Sequence, residues 1–134
     1  MVDAAMRDII ELLDPGIHQF RPVRITTKHD EDFPGKHFSM MIGRFIDSFS
    51  PQHSDAEHFR VEFDSINKHQ QYFSLSADRS PSSLAFSRTA FHGAHLWRER
   101  CLWMPNVLIS NELRDAIKAA GLKTPTLYKA TEVA

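Results

Sequence analysis

The chain lacks the features that mark several common functions. Its single cysteine, Cys101, cannot form an internal disulfide, which suits a reducing compartment. No stretch approaches the roughly 20 apolar residues that a membrane-spanning helix needs. The first ten residues contain acidic side chains and no long apolar run, so they do not resemble a signal peptide. We therefore expect a protein that stays in the cytoplasm and does not insert into a membrane.

The chain also has no large excess of positive or negative charge. Sixteen basic and seventeen acidic residues leave a net charge of −1, so no global basic field favours nucleic acid or an anionic membrane as a direct partner. Eight histidines make the charge sensitive to pH, and we interpret them as scattered surface side chains rather than a switch. The length of 134 residues predicts one domain spanning 1–134.

Two segments have the apolar spacing of amphipathic helices. The first carries a stripe on one helical face, with Asp3 as its N-cap and Asp14-Pro15-Gly16 as its end. The second begins at the cap Ser110, places Glu112 in its first turn and ends at Gly121. The stripe residues are Met6, Ile9, Ile10 and Leu13 in the first helix, and Leu113, Ala116, Ile117 and Ala120 in the second.

Strand patterns occupy much of the chain between these helices. His58–Asp64 alternates, which predicts a half-buried antiparallel strand with Phe59, Val61 and Phe63 inward and Arg60, Glu62 and Asp64 outward. Residues 17–27 suggest a strand, for which Pro22 predicts either an edge position or a break. Residues 37–50 mix both periods, and we favour a strand while a helix stays the alternative.

Three shorter segments complete the prediction of secondary structure. They are a strand within Tyr72–Ser76, a buried strand at Val107–Ile109 and a last strand at Thr126–Ala130. Together the patterns predict an α+β domain in which an antiparallel sheet packs against N-terminal and C-terminal helices.

Side chains that bear chemistry are present but do not form a recognised motif. His92 and His95 are three residues apart and Cys101 lies six further on, whereas a structural zinc site needs four ligands. No Gly-x-Ser-x-Gly elbow surrounds Ser82, and Cys101 has no oxyanion-hole motif beside it. We therefore assign no catalytic, metal-binding or cofactor-binding residue, and we expect no cofactor. A small-molecule-binding or enzymatic domain using His92, His95 and Cys101 stays the alternative.

Aromatic and arginine side chains concentrate in the segment from His95 to Trp103. Tryptophan and arginine are enriched at the energetic centres of protein–protein interfaces. A core role is equally compatible with tryptophan, and we expect one of the two to be buried and the other partly presented. The candidate interface residues are His95, Trp97, Arg98, Arg100 and Trp103.

The order of several motifs resembles a known family. The C-terminal motifs are His95–Arg98, Val107–Leu113 and Ala120–Leu122, and the upstream ones are Pro15–Val23 and Ile42–Asp47. In this order they are similar to the eleventh-numbered immunity family of bacterial polymorphic toxin systems. The resemblance covers roughly residues 8 to 130.

The resemblance implies a binding function. A member of this family would bind a cognate secreted toxin domain, in many cases a nuclease, and neutralise it by occlusion rather than by chemistry. Asp30-Glu31-Asp32 and the pair Asp55 and Glu57 are acidic, which would suit a basic toxin surface. A homodimer or a self-associating structural protein, with a symmetric interface, stays open.

Overall fold

A computed structural model describes residues 1–63, 66, 71–76, 79–103 and 106–134. They form two compact units, which are described separately. The first unit comprises Met1–Arg44, Ala94–Trp97 and Ile109–Lys123, and the second comprises Phe45–Gly93, Arg98–Leu108 and Thr124–Ala134. The prediction of one domain over residues 1–134 stays a prediction.

Helices and strands alternate irregularly through the described ranges. The helices are α1 (Ala4–Leu13) and α2 (Asn111–Ala119), with short 3-10 turns at Pro51–His53 and Pro81–Ser83. The strands are β1 (Val2–Asp3), β2 (Gln19–Val23), β3 (His37–Met41), β4 (Phe45–Ile46), β5 (Phe59–Phe63), β6 (Gln71–Leu75), β7 (Ala85–Ser87), β8 (Leu96–Glu99), β9 (Val107–Ile109) and β10 (Thr131–Val133). The predicted α+β class is confirmed.

Both helices begin and end where the sequence predicts. The Asp3 carboxylate accepts the N–H of Met6 at 2.8 Å, and the Ser110 hydroxyl accepts the N–H of Leu113 at 3.0 Å. At the end of α2, Gly121 has a φ of +67°, which a residue with a Cβ tolerates poorly. The N–H of Leu122 then bonds the carbonyl of Ile117 at 3.2 Å, which completes a Schellman motif.

The core of the first unit lies between the two helices and a three-stranded antiparallel sheet. The strand order is β1-β3-β2, so β2 is an edge strand, as the position of Pro22 predicts. The buried residues of this core are Ile10, Ile42, Leu96, Leu113 and Ile117. Burying a leucine or isoleucine fully contributes roughly 1.5–3 kcal/mol, so this cluster is a main source of stability for the unit.

The second unit has a separate aromatic core. Phe49 contacts the rings of Phe59, Phe73 and Phe86 at centroid distances of 5.1 to 5.9 Å, in edge-to-face or tilted arrangements. The fully or nearly buried residues beside these rings are Leu84, Phe86 and Leu102. The interleaved aromatic residues of β5, β6 and β7 therefore hold this unit together.

Strand pairing in the second unit is both antiparallel and parallel. β5 and β6 form an antiparallel hairpin, while β4 pairs with β8 and β7 with β10 in parallel. Residues 101–103 continue the hairpin on the far side of β6. The Phe73 N–H donates to the Cys101 carbonyl and the Trp103 N–H donates to the Phe73 carbonyl, both at 2.7 Å.

Several strand predictions need correction. Phe59 packs in the core as predicted. Val61 and Phe63, which were predicted to point inward, are 47% and 62% exposed, because the core does not extend along the whole of β5. Asp64 lies outside the described residues. β9 is not buried, since Val107 is exposed.

Two segment boundaries also differ from the predictions. The last strand runs over Thr131–Val133 rather than residues 126–130. The strand favoured for residues 37–50 is two strands, β3 and β4, separated at Gly43. A Cβ at Gly43 would lie 2.0 Å from the Ile17 carbonyl oxygen, so close backbone packing interrupts the segment there. No helix in the described ranges is both long and apolar enough to span a bilayer.

Candidate functional site

Exposed Trp103 and half-buried Tyr72 lie side by side in the second unit. Trp103 is 67% exposed, and its ring centroid lies 6.0 Å from that of Tyr72. Residues 101–103 lie alongside β6, and Phe73 is paired in parallel with Leu102. Because alternate side chains of a strand point to opposite faces, burial of Leu102 in the core turns Trp103 outward. The aromatic pair is therefore positioned by backbone pairing with β6.

Arg100 follows the end of β8 directly, three residues before Trp103, and is also exposed. Its Nη1 lies 3.5 Å from the carboxylate of Asp47, and its Nη2 donates to the Phe45 carbonyl at 3.4 Å. Arg98 is half-buried and donates from Nη1 to the Asn106 side chain at 3.2 Å. Arg100 thus offers a solvent-accessible guanidinium, whereas Arg98 contributes a contact within the second unit.

Glu99, between these two arginines, is buried and bonds Ser48, which lies two residues after the end of β4. Its carboxylate accepts the backbone N–H of Ser48 at 2.9 and 3.1 Å and the Ser48 hydroxyl at 2.6 Å. It also lies 3.4 Å from the N–H of Cys101. A buried carboxylate with several donors is well stabilised, and removing them would leave it unsatisfied. Glu99 therefore fixes the backbone from which Arg100 and Cys101 project.

Cys101 belongs to a small group of potential metal ligands. Ligand atoms of Asp47, Glu99 and Cys101 all lie within 4.8 Å of one another. Burial, followed by the charge of the neighbouring Asp47 carboxylate and the hydrogen bond to it, raises the pKa of the Cys101 thiol to about 11. The thiol is therefore protonated near neutral pH. Glu99 already accepts hydrogen bonds from the N–H and the hydroxyl of Ser48. These bonds explain why its carboxylate lies close to Asp47 and Cys101, without a metal ion.

The candidate residues of the first unit have internal partners. Trp97 is only 2% exposed, so it is the buried member of the expected pair of tryptophans and Trp103 is the presented one. His95 is largely buried, and its Nδ1 lies 2.9 Å from the Ser110 hydroxyl and 3.3 Å from the Glu112 carboxylate. These contacts place His95 at the start of α2.

The five interface candidates therefore divide between the units. His95 and Trp97 belong to the first unit, whereas Arg98, Arg100 and Trp103 belong to the second. His92, named for the alternative function, is exposed and also belongs to the second unit. Arg100 and Trp103 are the exposed members of the set, and we call them together with Tyr72 the aromatic–arginine patch.

Sequence analysis did not assign Tyr72 or Asp47 to the site. Tyr72 is the first residue of the alternating run Tyr72–Leu75. It is adjacent to the core residue Phe73, and alternation along a strand predicts that its side chain points to the opposite face. Asp47 comes directly after β4, and nothing local predicts its distance to Arg100. Such a contact depends on the parallel pairing of β4 with β8, which joins residues far apart in sequence.

Comparison with known proteins identifies the family. A family model described as Immunity protein family (Imm11) matches residues 1–132. The chain therefore belongs to this immunity-protein family, and the resemblance stated from the order of its motifs is confirmed. No curated protein and no solved structure is detectably similar to the chain. Membership of the family indicates a role in immunity to a toxin.

Proposed function

We propose that this protein is a cytoplasmic immunity protein of a bacterial polymorphic toxin system, which binds its cognate toxin domain and neutralises it by occlusion. The observation that carries the proposal is the family match over residues 1–132. Occlusion requires a stable complex that covers the toxin's active site or a neighbouring surface, and it requires no reaction. The raised pKa of the Cys101 thiol disfavours Cys101 as a nucleophile, because the thiolate is the reactive form.

We propose the aromatic–arginine patch as the centre of the toxin-binding surface. Trp103 and Tyr72 offer large, rigid apolar surfaces, and Arg100 offers a charged group with several donors. These residue types contribute most to binding energy when a partner covers them and excludes water. Arg100 already lies beside Asp47, which holds the guanidinium in place before the toxin arrives.

The toxin in this proposal is a nuclease with a basic surface. Asp55 and Glu57 are exposed in the second unit, and residues 30–32 are exposed in the first. Acidic groups at the rim of an interface accelerate association with a basic partner. Charge reversal at Asp55 and Glu57 should therefore reduce the association rate, and the reduction should be largest at low salt. Unchanged association kinetics at low salt would contradict this part of the proposal.

Co-expression with the neighbouring toxin gene tests the function directly. A candidate toxin gene from the neighbourhood of this gene is expressed in a host with and without this protein. Growth of the host is scored, and a pull-down then tests for a complex. We expect growth to be rescued and a stable complex to be recovered. Absence of both rescue and complex would overturn the proposed function.

Substitutions then locate the interface. Trp103→Ala should weaken binding by about 30-fold or more, because a hot-spot truncation costs at least about 2 kcal/mol. Tyr128→Ala is the matched control, since Tyr128 is also an exposed aromatic residue of the second unit. Equal effects of the two substitutions would exclude the aromatic–arginine patch as the binding centre. If the His92→Ala and Cys101→Ser variants still rescue growth of the host, a function that depends on the chemistry of these two side chains is excluded.

A further inference from the structure

The outer edge of β5 has backbone groups directed away from its hairpin partner. Phe73 donates its N–H to the Cys101 carbonyl and accepts the Trp103 N–H at its own carbonyl, so it directs neither group toward β5. Val61 is the residue opposite Phe73, and in an antiparallel pair it must then point its own N–H and carbonyl to the outside. Because the direction alternates along a strand, Phe59 and Phe63 point the same way as Val61.

No strand pairs with this outer edge among the residues that the structure describes. β5 stands at the end of its sheet, and the order is β5-β6. Proteins usually protect such an edge, because its free donors and acceptors can pair with another strand. Here the edge also carries the exposed apolar side chains of Val61 and Phe63. This combination is typical of a strand that acquires a partner.

The sequence of β5 is symmetric about Val61, except that the two charged residues have opposite signs. Phe59-Arg60-Val61-Glu62-Phe63 has valine at its centre, opposite charges on either side and phenylalanine at both ends. If two copies pair antiparallel about a two-fold axis at Val61, each Arg60 lies directly opposite a Glu62 of the other copy. Each Phe59 then lies opposite a Phe63, which places apolar groups together on the other face.

We propose that a second copy of this chain adds to the outer edge of β5, joining two β5–β6 hairpins into one continuous antiparallel sheet. The two-fold axis at Val61 uses all the outward-pointing backbone groups of both strands, so each of Phe59, Val61 and Phe63 gains two hydrogen bonds. The charges complement each other in the same register. The interface is isologous, because the same five residues of each copy form it.

Charge complementarity favours this occupant over an unrelated strand. Arg60 and Glu62 lie 3.9 Å apart within one chain, and their side chains are 66% and 39% exposed, so both can interact across the interface. Opposite charges facing each other across two strands are stabilising, and like charges are destabilising. A segment that lacks an acid opposite Arg60 or a base opposite Glu62 loses that attractive pair, and a like charge there is repelled, so the pattern favours a second copy.

Charge reversal tests the proposal in the full-length chain. Arg60→Glu alone and Glu62→Arg alone each place like charges opposite one another twice, and each should weaken dimerisation roughly ten- to hundredfold. The double variant Arg60→Glu/Glu62→Arg restores both pairs and should recover the dimer. An equimolar mixture of the two single variants should form a heterodimer, because one copy then carries two acids and the other two bases. Molar mass is measured by light scattering and sedimentation over a range of concentrations.

Arg79→Glu is the matched control, because Arg79 is an exposed cation of the second unit outside β5. It should leave the dimer unchanged, and circular dichroism checks that every variant is folded. A wild-type protein that stays monomeric throughout the range would overturn the proposal, as would a dimer insensitive to both single reversals. If the wild type is monomeric and the single reversals instead abolish toxin binding, the edge accepts a strand of the toxin. The dimer does not rest on the proposed toxin binding, so each can fail alone.

Discussion

The side chain of Asp14 accepts the backbone N–H of Leu96 at 2.8 Å, although the two residues are 82 positions apart in the sequence. The same oxygen, Oδ2, lies 3.1 Å from the N–H of His95 and 3.3 Å from Nε2 of His18. Its other oxygen accepts Nη1 of Arg44 at 2.7 Å. Asp14 is almost fully buried, so one carboxylate joins the end of α1 to three other segments of the first unit.

Replacement of Asp14 by asparagine should strongly destabilise the first unit. The amide is neutral and offers one acceptor oxygen, so the ion pair with Arg44 and part of the backbone bonding are lost. We expect the free energy of unfolding to fall by about 3 kcal/mol, measured by urea denaturation. Asp8→Asn is the control, because Asp8 is exposed and pairs only with adjacent Arg7 among the side chains described, so its effect should stay below about 0.5 kcal/mol. Similar effects of the two substitutions would contradict the central role of Asp14.

His18 should be sensitive to substitution for a related reason. Its Nδ1 accepts the N–H of Gly43 at 3.2 Å, so the proton lies on Nε2 and faces Asp14. His18→Leu removes both interactions while filling a similar volume, and should cost about 2 kcal/mol of unfolding free energy. His29→Leu is the control, since His29 is exposed. A stability loss at His18 no larger than that at His29 would exclude this role.

Alanine substitutions at Gly43 and Gly121 distinguish destabilisation by steric clash from destabilisation by an unfavourable backbone conformation. Gly43→Ala places a Cβ 2.0 Å from the Ile17 carbonyl oxygen, and we expect a loss of roughly 2–3 kcal/mol because backbone must move. Gly121→Ala meets nothing within 4 Å but forces alanine to a positive φ, which costs about 1 kcal/mol. Thermal and urea unfolding of the two variants give the order. A larger loss at Gly121 would contradict the contact at Gly43.

The helices were predictable from sequence because their signals are local. Asp3 caps α1 and Ser110 caps α2 through bonds that span three residues, and Gly121 ends α2 through bonds within the last turn. Apolar spacing on these helices identified the core face that includes Ile10 and Leu113. Such features depend on the nearest turn of the chain and on little else.

The strands and the site were less predictable because they depend on distant partners. The alternation of β5 placed Val61 and Phe63 inward, yet the aromatic core of the second unit ends at Phe59 and leaves them exposed. Period alone shows which residues share a face, but it does not show how far the covering layer extends. Likewise, burial of Trp97 and exposure of Trp103 follow from strand pairing rather than from the residues beside them.

The two tryptophans should report separately on the two environments. Trp97 is buried and Trp103 is exposed, so acrylamide should quench only part of the native fluorescence. In Trp103→Phe the remaining emission should shift to shorter wavelength and resist quenching, because it comes from Trp97 alone. The opposite pattern, with emission that stays readily quenched after Trp103→Phe, would show that Trp97 is accessible.

The reactivity of Cys101 should reveal its raised pKa. Burial is the main cause, and the Asp47 carboxylate adds to it by its charge and by accepting from Sγ at 3.6 Å, which together raise the pKa from 9.0 to about 11. At pH 8 the thiolate is then roughly a hundredfold scarcer than at a thiol with a pKa of 9.0, so alkylation should be slower by a similar factor. The rate should continue to rise with pH up to about 11, where an ordinary thiol has already levelled off.

Asp47→Asn removes the negative charge that disfavours the thiolate while leaving the burial of Cys101 largely unchanged. The pKa of Cys101 should therefore fall, and alkylation at pH 8 should accelerate roughly tenfold. Asp55→Asn is the control, since Asp55 is an exposed carboxylate that interacts with His58 rather than with Cys101. Cys101 is the only cysteine of the chain, so the rate of label incorporation by mass spectrometry reports this site alone. Rapid alkylation of the wild type at pH 7, unaffected by Asp47→Asn, would contradict the raised pKa. It would also restore Cys101 as a candidate nucleophile.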